Sequence, residues 1–246
     1  MSKLIKIISK MIRSIRNRDA ANVAGRTLLE LDAAPAEDTI LQSVKNEIVQ
    51  LKDRLVTAIQ PGKLASELEI LDGLRDDTYR AFVYLIRGYA HHLDAAIKSA
   101  AEEVLKVLNK YGLELTRLNY AAETIEIESL IKDMKLPAMA THLEAMPGAQ
   151  DLLGKLESEL AQFVVAQKAY LDAVGEGKLA GSATEIKKEL VNVINNKLVM
   201  YLNGMMQVNP EPYTALYTKL DIVIDEANEL VRLRRKNEEE IEVSNN

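Results

Sequence analysis

The 246-residue sequence predicts an all-α protein, on three observations. Apolar residues make up 48% of the chain and recur at three- and four-residue intervals, the spacing that lines one face of a helix. Gly and Pro number only 11 and 6 and fall mostly between the periodic stretches. No stretch alternates apolar and polar residues between hairpin turns, as a half-buried strand would. The expected architecture is an antiparallel bundle of about seven to nine mostly long helices joined by short loops.

Each element has its own signal. Over residues 1–31, Leu4, Ile8, Met11, Ile12 and Ile15 share one helical face. Ala33-Ala34-Pro35-Ala36 reads as a loop. Ile40, Val44, Ile48, Leu51, Leu55 and Ile59 trace the next helix, which Pro61-Gly62 ends. Ser66 and Glu69 have capping-box spacing and open a helix to about Tyr89, with His91-His92-Leu93-Asp94 as the joint. Asp94 caps a helix carrying Ile97, Ala101, Val104, Leu105 and Leu108, and Gly112 suits the left-handed position after it. Asn119 caps a helix whose apolar positions are Ile125, Leu130, Ile131 and Met134, and Pro137 restarts it.

Pro147-Gly148 is the clearest punctuation in mid-chain. Leu152, Leu156, Leu160, Phe163 and Tyr170 line the helix beyond it, bounded by a loop at Gly175-Glu176-Gly177 and Gly181. Ser182 and Glu185 repeat the capping-box spacing before Ile186, Leu190, Ile194 and Leu198. Pro212 suits the first position of a last helix that carries Leu216, Leu220, Val223, Ala227 and Leu230. The whole reads as one bundle domain over residues 1–236, with an acidic, flexible tail over 237–246. Two similar helical halves, 20–146 and 148–236, are the alternative, because Tyr111-Gly112 then Tyr120 echoes Tyr201 to Gly204 then Tyr213.

Composition removes several function classes. With no Cys, disulfides, thiol nucleophiles and Cys-based metal sites are excluded. No apolar run approaches the ~20 residues of a membrane-spanning helix, and basic residues interrupt any secretory signal near the start. A cytoplasmic protein is expected. The net charge of −6 makes nucleic acid the least favoured partner.

At Arg75-Asp76-Asp77-Thr78-Tyr79, Ala100-Ala101-Glu102, Tyr111-Gly112 and Asn119-Tyr120-Ala121-Ala122-Glu123-Thr124, with Ile15-Arg16-Asn17 near the start, the chain resembles a bacterial family known only as a domain of unknown function. The resemblance covers most of the chain. It implies a helical fold and transfers no site.

Catalytic motifs are missing from the sequence. The only histidines are His91, His92 and His142, and none stands three residues after a Glu, the spacing that di-metal carboxylate bundles use. The phosphate loop, the dinucleotide-binding turn, the zinc hydrolase spacing and the nucleophile elbow are also absent. Glu123, Glu126 and Glu128 read as a solvated helix face, while Arg75, Asp76 and Asp77 lie between apolar positions and suggest an interhelical ion pair. The nine tyrosines suit the ends of a bundle, each burying a ring and seeking a partner for its hydroxyl. No cofactor and no metal is expected.

One segment points to a partner. Lys3, Lys6, Lys10 and Arg13 follow helical spacing opposite the apolar face, and Arg16 and Arg18 extend the basic run to six before the first acid, Asp19. Such a helix docks on its own bundle, meets a protein groove, or lies on an anionic membrane. The function expected is therefore a non-catalytic helical interaction or structural protein that self-associates. The alternatives are membrane association through residues 1–18, and an enzyme or small-ligand carrier with a cavity between helices.

Overall fold

A computed structural model describes the backbone of residues 7–244 and the side chains of 7–241. The protein is all-α: among the described residues every regular element is helical. In chain order these are α1 (Asn17–Leu31), α2 (Thr39–Tyr89), α3 (Ala95–Tyr111), a 3-10 turn (Leu113–Arg117), α4 (Tyr120–Met134), α5 (Pro137–Glu144) and α6 (Ala149–Ala180). There follow α7 (Ala183–Val193), a π turn (Ile194–Leu198), α8 (Val199–Val208) and α9 (Thr214–Ser244). No described helix is long and apolar enough to cross a membrane.

The chain forms two compact units, and their boundary is not at Pro147-Gly148. The terminal unit takes the residues up to Pro61 and those from Ala173 onward, and the central unit is Gly62–Asp172. The chain leaves the terminal unit inside α2 and re-enters it inside α6. Ile48, Leu55, Leu190, Ile194, Leu198 and Leu220 are fully buried in the core of the terminal unit, where α1 packs on α7 and α9. Phe82, Val104, Ile127, Leu130 and Leu156 do the same in the central unit, where α3 packs on α4 and α5.

The local signals held wherever a polar cap or a left-handed glycine set the boundary. Asp94 accepts from the amides of Ala96 and Ile97, and Asn119 accepts from that of Ala122. Gly112 and Gly148 sit at φ +69° and +83°, a region that a Cβ disfavours. Pro137 opens α5, as its missing N–H allows.

Other boundaries moved. Pro61 does not end a helix, because α2 runs straight through it. The partner of that proline is Gly177, whose Cβ would stand 3.0 Å from Pro61 Cγ. Gly177 is thus a packing glycine inside α6, not part of a loop. Ser66 lies within α2 and bonds back to the carbonyl of Gly62 at 3.3 Å instead of capping. Ser182 holds the cap position of α7 without a side-chain bond, since Glu185 pairs with Lys188. The tail expected from residue 237 continues α9 as far as Ser244. Ile125 is exposed, and the inner face of α4 runs through Glu123, Ile127, Leu130, Ile131 and Met134.

Candidate functional site

The largest departure from the sequence reading lies at the start of the chain. Residues 7–16 form no helix, and α1 begins only at Asn17. They run as open, non-helical chain with a turn at Arg13-Ser14, and Ile8, Met11 and Ile15 are buried at 2%, 2% and 1% exposure. An extended segment presents a backbone N–H and C=O at every residue, and burial leaves each costly unless it finds a partner. A helical unit offers no strand edge, so side chains must supply the partners.

Three asparagines supply most of them. Asn195 Oδ1 accepts from the Met11 N–H at 2.7 Å, and its Nδ2 donates to the Met11 carbonyl at 2.9 Å. Asn203 does the same for Ile8, at 3.1 and 3.3 Å. Asn228 accepts from the Ile12 N–H at 2.8 Å and donates to the Lys10 carbonyl at 3.1 Å. A carboxamide carries a donor and an acceptor in one plane without charge, so it presents what a neighbouring strand would. The Tyr217 hydroxyl also accepts from the Ile8 N–H at 2.9 Å and donates to Asn203 Oδ1. Beyond the anchors, Lys187 holds the Ile15 carbonyl at 3.0 Å and Arg234 the Ser14 carbonyl at 2.9 Å.

The helices place these groups for a local reason. Asn195 lies in the π turn, where one added residue re-aims the side chains that follow. Asn195 and Asn228 occupy core positions of their helices, in line with Val191, Leu198 and Leu202 and with Ile224 and Val231. Nearby, Asp38 caps α2 by accepting from Ile40 and Leu41 and takes the hydroxyls of Tyr201 and Tyr213, each at 2.8 Å. Burial works against the Asp38 charge, but those four donors outweigh it and hold its pKa below the usual value.

The basic residues of the segment separate from its anchors. Lys3 and Lys6 lie outside the described residues. Lys10, Arg13, Arg16 and Arg18 are exposed. Lys10 donates to Asn196 Oδ1 at 2.8 Å, and Arg13 borders a cavity of about 360 Å³ with Lys187 and Asn192. Of the apolar residues a membrane-binding helix would use, Ile8, Met11 and Ile15 are buried in the terminal unit, Ile12 is partly buried, and Leu4 lies outside the described residues.

The central unit holds a second polar cluster. Asp72, Arg75, Asp76 and Tyr79 share one face of α2, at i, i+3, i+4 and i+7. Arg75 is fully buried, with its guanidinium 4.1 Å from the centre of the Phe163 ring. It pairs with Asp72 at 2.8 Å and Glu123 at 2.9 Å and donates to the Thr124 hydroxyl at 3.1 Å. Arg80 pairs with Asp76 at 2.8 Å and reaches the Thr116 hydroxyl. The interhelical pair expected at Arg75 is therefore present. Glu123, expected on a solvated face, is buried beside it, while Glu126 and Glu128 are exposed.

This cluster holds three carboxylates with oxygens within 4.8 Å of one another, and no fully ionised arrangement suits them. Burial pushes Glu123 up to a pKa of about 8; Arg75 opposes the shift, and the hydrogen bond with Asp76 adds to it. Asp72 is raised as well, again chiefly by burial. A buried oxygen of Asp76 lacks a hydrogen-bond partner as an ionised group, and the Glu123 oxygen meets Arg75 as an ion pair outside hydrogen-bond geometry. A proton held between the two carboxyls gives both a partner. The cation position among the carboxylates is already filled by Arg75. Arg75 and Glu123 are closed to solvent, while Asp72 keeps 25% of its side chain exposed.

The tyrosines tie down loops and joints. Tyr79 donates to the Gly112 carbonyl at 2.6 Å, Tyr89 to that of Pro147 at 3.0 Å, and Tyr111 to Asp133 at 2.9 Å. His92 Nδ1 accepts from the Asp94 amide at 3.1 Å and helps close the joint after α2.

Among known proteins, the Family of unknown function (DUF6261) matches residues 65–228. The chain belongs to that family. No curated protein and no solved structure matches it. The family match includes the three clamp asparagines and the whole ion cluster, and it stops short of residues 7–16.

Proposed function

We propose that this family member is a non-catalytic helical interaction protein whose terminal unit holds an extended polypeptide segment in a groove. The observation that carries the reading is the pairing of Asn195, Asn203 and Asn228 with backbone groups of residues 8–12. Backbone recognition is indifferent to side-chain identity, and the apolar anchors at spacing i, i+3 and i+7 add selectivity. This combination is what a groove for extended peptides requires. A non-catalytic role is favoured because Arg75 and Glu123, at the heart of the strongest titratable cluster, are closed to solvent. The absence of cysteine suits a reducing compartment, so the cytoplasm is the proposed location.

The test empties the groove and refills it. In the full chain, Ile8→Asp with Met11→Asp expels the segment, because neither carboxylate tolerates an apolar pocket. A fluorescent peptide of residues 7–16 then binds this variant by anisotropy, and adding Asn195→Asp abolishes binding. Absence of binding by a variant that keeps its helical circular dichroism overturns the proposal.

A further inference from the structure

The groove has one occupant whose fit is on view, segment 7–16 itself, and that segment is built to be given up whole. Its one backbone–backbone bond within residues 7–15 runs from the Ile15 N–H to the Ile12 carbonyl. The other described hydrogen bonds of residues 7–15 go to side chains from α7 to α9, and the Arg16 carbonyl accepts from the Ala20 N–H of α1. The buried face of α1, made of Ala20, Val23, Ala24, Thr27 and Leu31, is a separate contact that stays behind when the segment leaves. The joint is Arg16, extended at φ −70° and ψ 154° and giving α1 no side-chain cap. Turning the chain there breaks no helix.

Resting on the reading just given, we infer that the groove also takes segment 7–16 of a second copy of this chain, so that two copies exchange segments reciprocally. The contacts are the same in either form, and the difference reduces to association entropy against the effective concentration of the tethered segment, on the order of millimolar. Charge favours this partner. The segment and its joint expose Lys10, Arg13, Arg16 and Arg18, while the chain as a whole carries −6 and α9 sets Asp225 against Ser9 of the segment. A second copy therefore meets a basic segment with a net acidic chain. Exchange is populated when the chain refolds at high concentration, and it reverses slowly because three anchors and three clamps must release together.

The chain has no cysteine, so the test is clean. Ser9 Oγ donates to Asp225 Oδ1 at 3.0 Å across the groove. Full-length Ser9→Cys and Asp225→Cys variants are mixed, unfolded, refolded together at increasing concentration, and treated with a short bis-maleimide linker. The inference expects a covalent species of twice the chain mass that rises with protein concentration, towards half of the protein at complete exchange. Adding Asn195→Asp to the Asp225→Cys copy alone removes it. The double variant Ser9→Cys/Asp225→Cys, refolded dilute, reports the groove within one chain by linking without a mass increase. If the double variant links and the mixture never does, exchange is overturned and the groove stands. If neither links, the groove reading falls with it.

Discussion

The two units bury polar groups by opposite means. The terminal unit buries main chain and answers it with neutral amides, each asparagine matching one donor and one acceptor. The central unit buries charge, setting Arg75 against Asp72 and Glu123 and leaving a proton to settle the excess of carboxylate. Neutral pairing is indifferent to pH and salt and releases its partner without stranding a charge. Ionic pairing is strong only while every member stays, since removing one leaves an uncompensated ion in low dielectric. The unit proposed to release a segment is the one whose asparagine clamps carry no charge.

The largest effect that breaks this contrast is Arg75→Met. It strands the Asp72 carboxylate, takes the guanidinium from beside the protonated Glu123 carboxyl, and costs the central unit about 3–5 kcal/mol in a urea titration at neutral pH. Next comes Asn195→Ala, which leaves the buried N–H and carbonyl of Met11 without partners. At about 1–2 kcal/mol for each such group, the terminal unit loses about 2–4 kcal/mol by the same measurement.

The pH dependence sharpens the contrast. Glu123 keeps its proton in the folded chain up to about pH 8, while its ordinary carboxyl value is 4.5. Between those values the unfolded chain has released a proton that the folded chain still holds. Stability therefore falls as pH rises through that window and levels off above it. Asp72, also raised, acts in the same direction. Asp38 in the terminal unit is lowered, so its contribution is present above its ordinary value of 3.8 and is lost only as pH falls below it. Urea titrations from pH 5 to 9 should show a slope that Glu123→Gln removes and Asn195→Ala leaves in place.

Smaller effects complete the series. Tyr213→Phe removes one donor to Asp38 and costs about 0.5–1.5 kcal/mol in thermal unfolding. Lys197→Ala breaks an exposed pair with Glu47 and costs under ~0.5 kcal/mol.

Much of the fold was legible because helices announce themselves through periodicity and caps, as at Asp94, Asn119 and Gly112. The failures share a cause: a local signal was overruled by a distant partner. Pro61 reads as a stop until Gly177 stands opposite it. Ile8, Met11 and Ile15 are spaced as a helix face is, and the same spacing serves a non-helical segment whose anchors join the core of the terminal unit. What distinguishes the two lies 184 to 216 residues away in Asn195, Asn203 and Asn228. Two of these amides interrupt apolar stripes, and a polar residue at a core position is the one sequence signal that foretells a buried partner. Glu123 gave the same signal, since it sits four residues before Ile127 on the inner face of α4. The ion pair at Arg75 was legible because its charges lie between apolar neighbours.

The central claim is that residues 8–12 are extended chain held by asparagine side chains. Amide hydrogen exchange of the full-length protein, followed by NMR, tests it most directly. The account predicts slow exchange at Ile8, Met11 and Ile12, with protection at Met11 lost in Asn195→Ala and kept in Glu123→Gln. Exchange of all three amides at the rate of an unstructured peptide would contradict it.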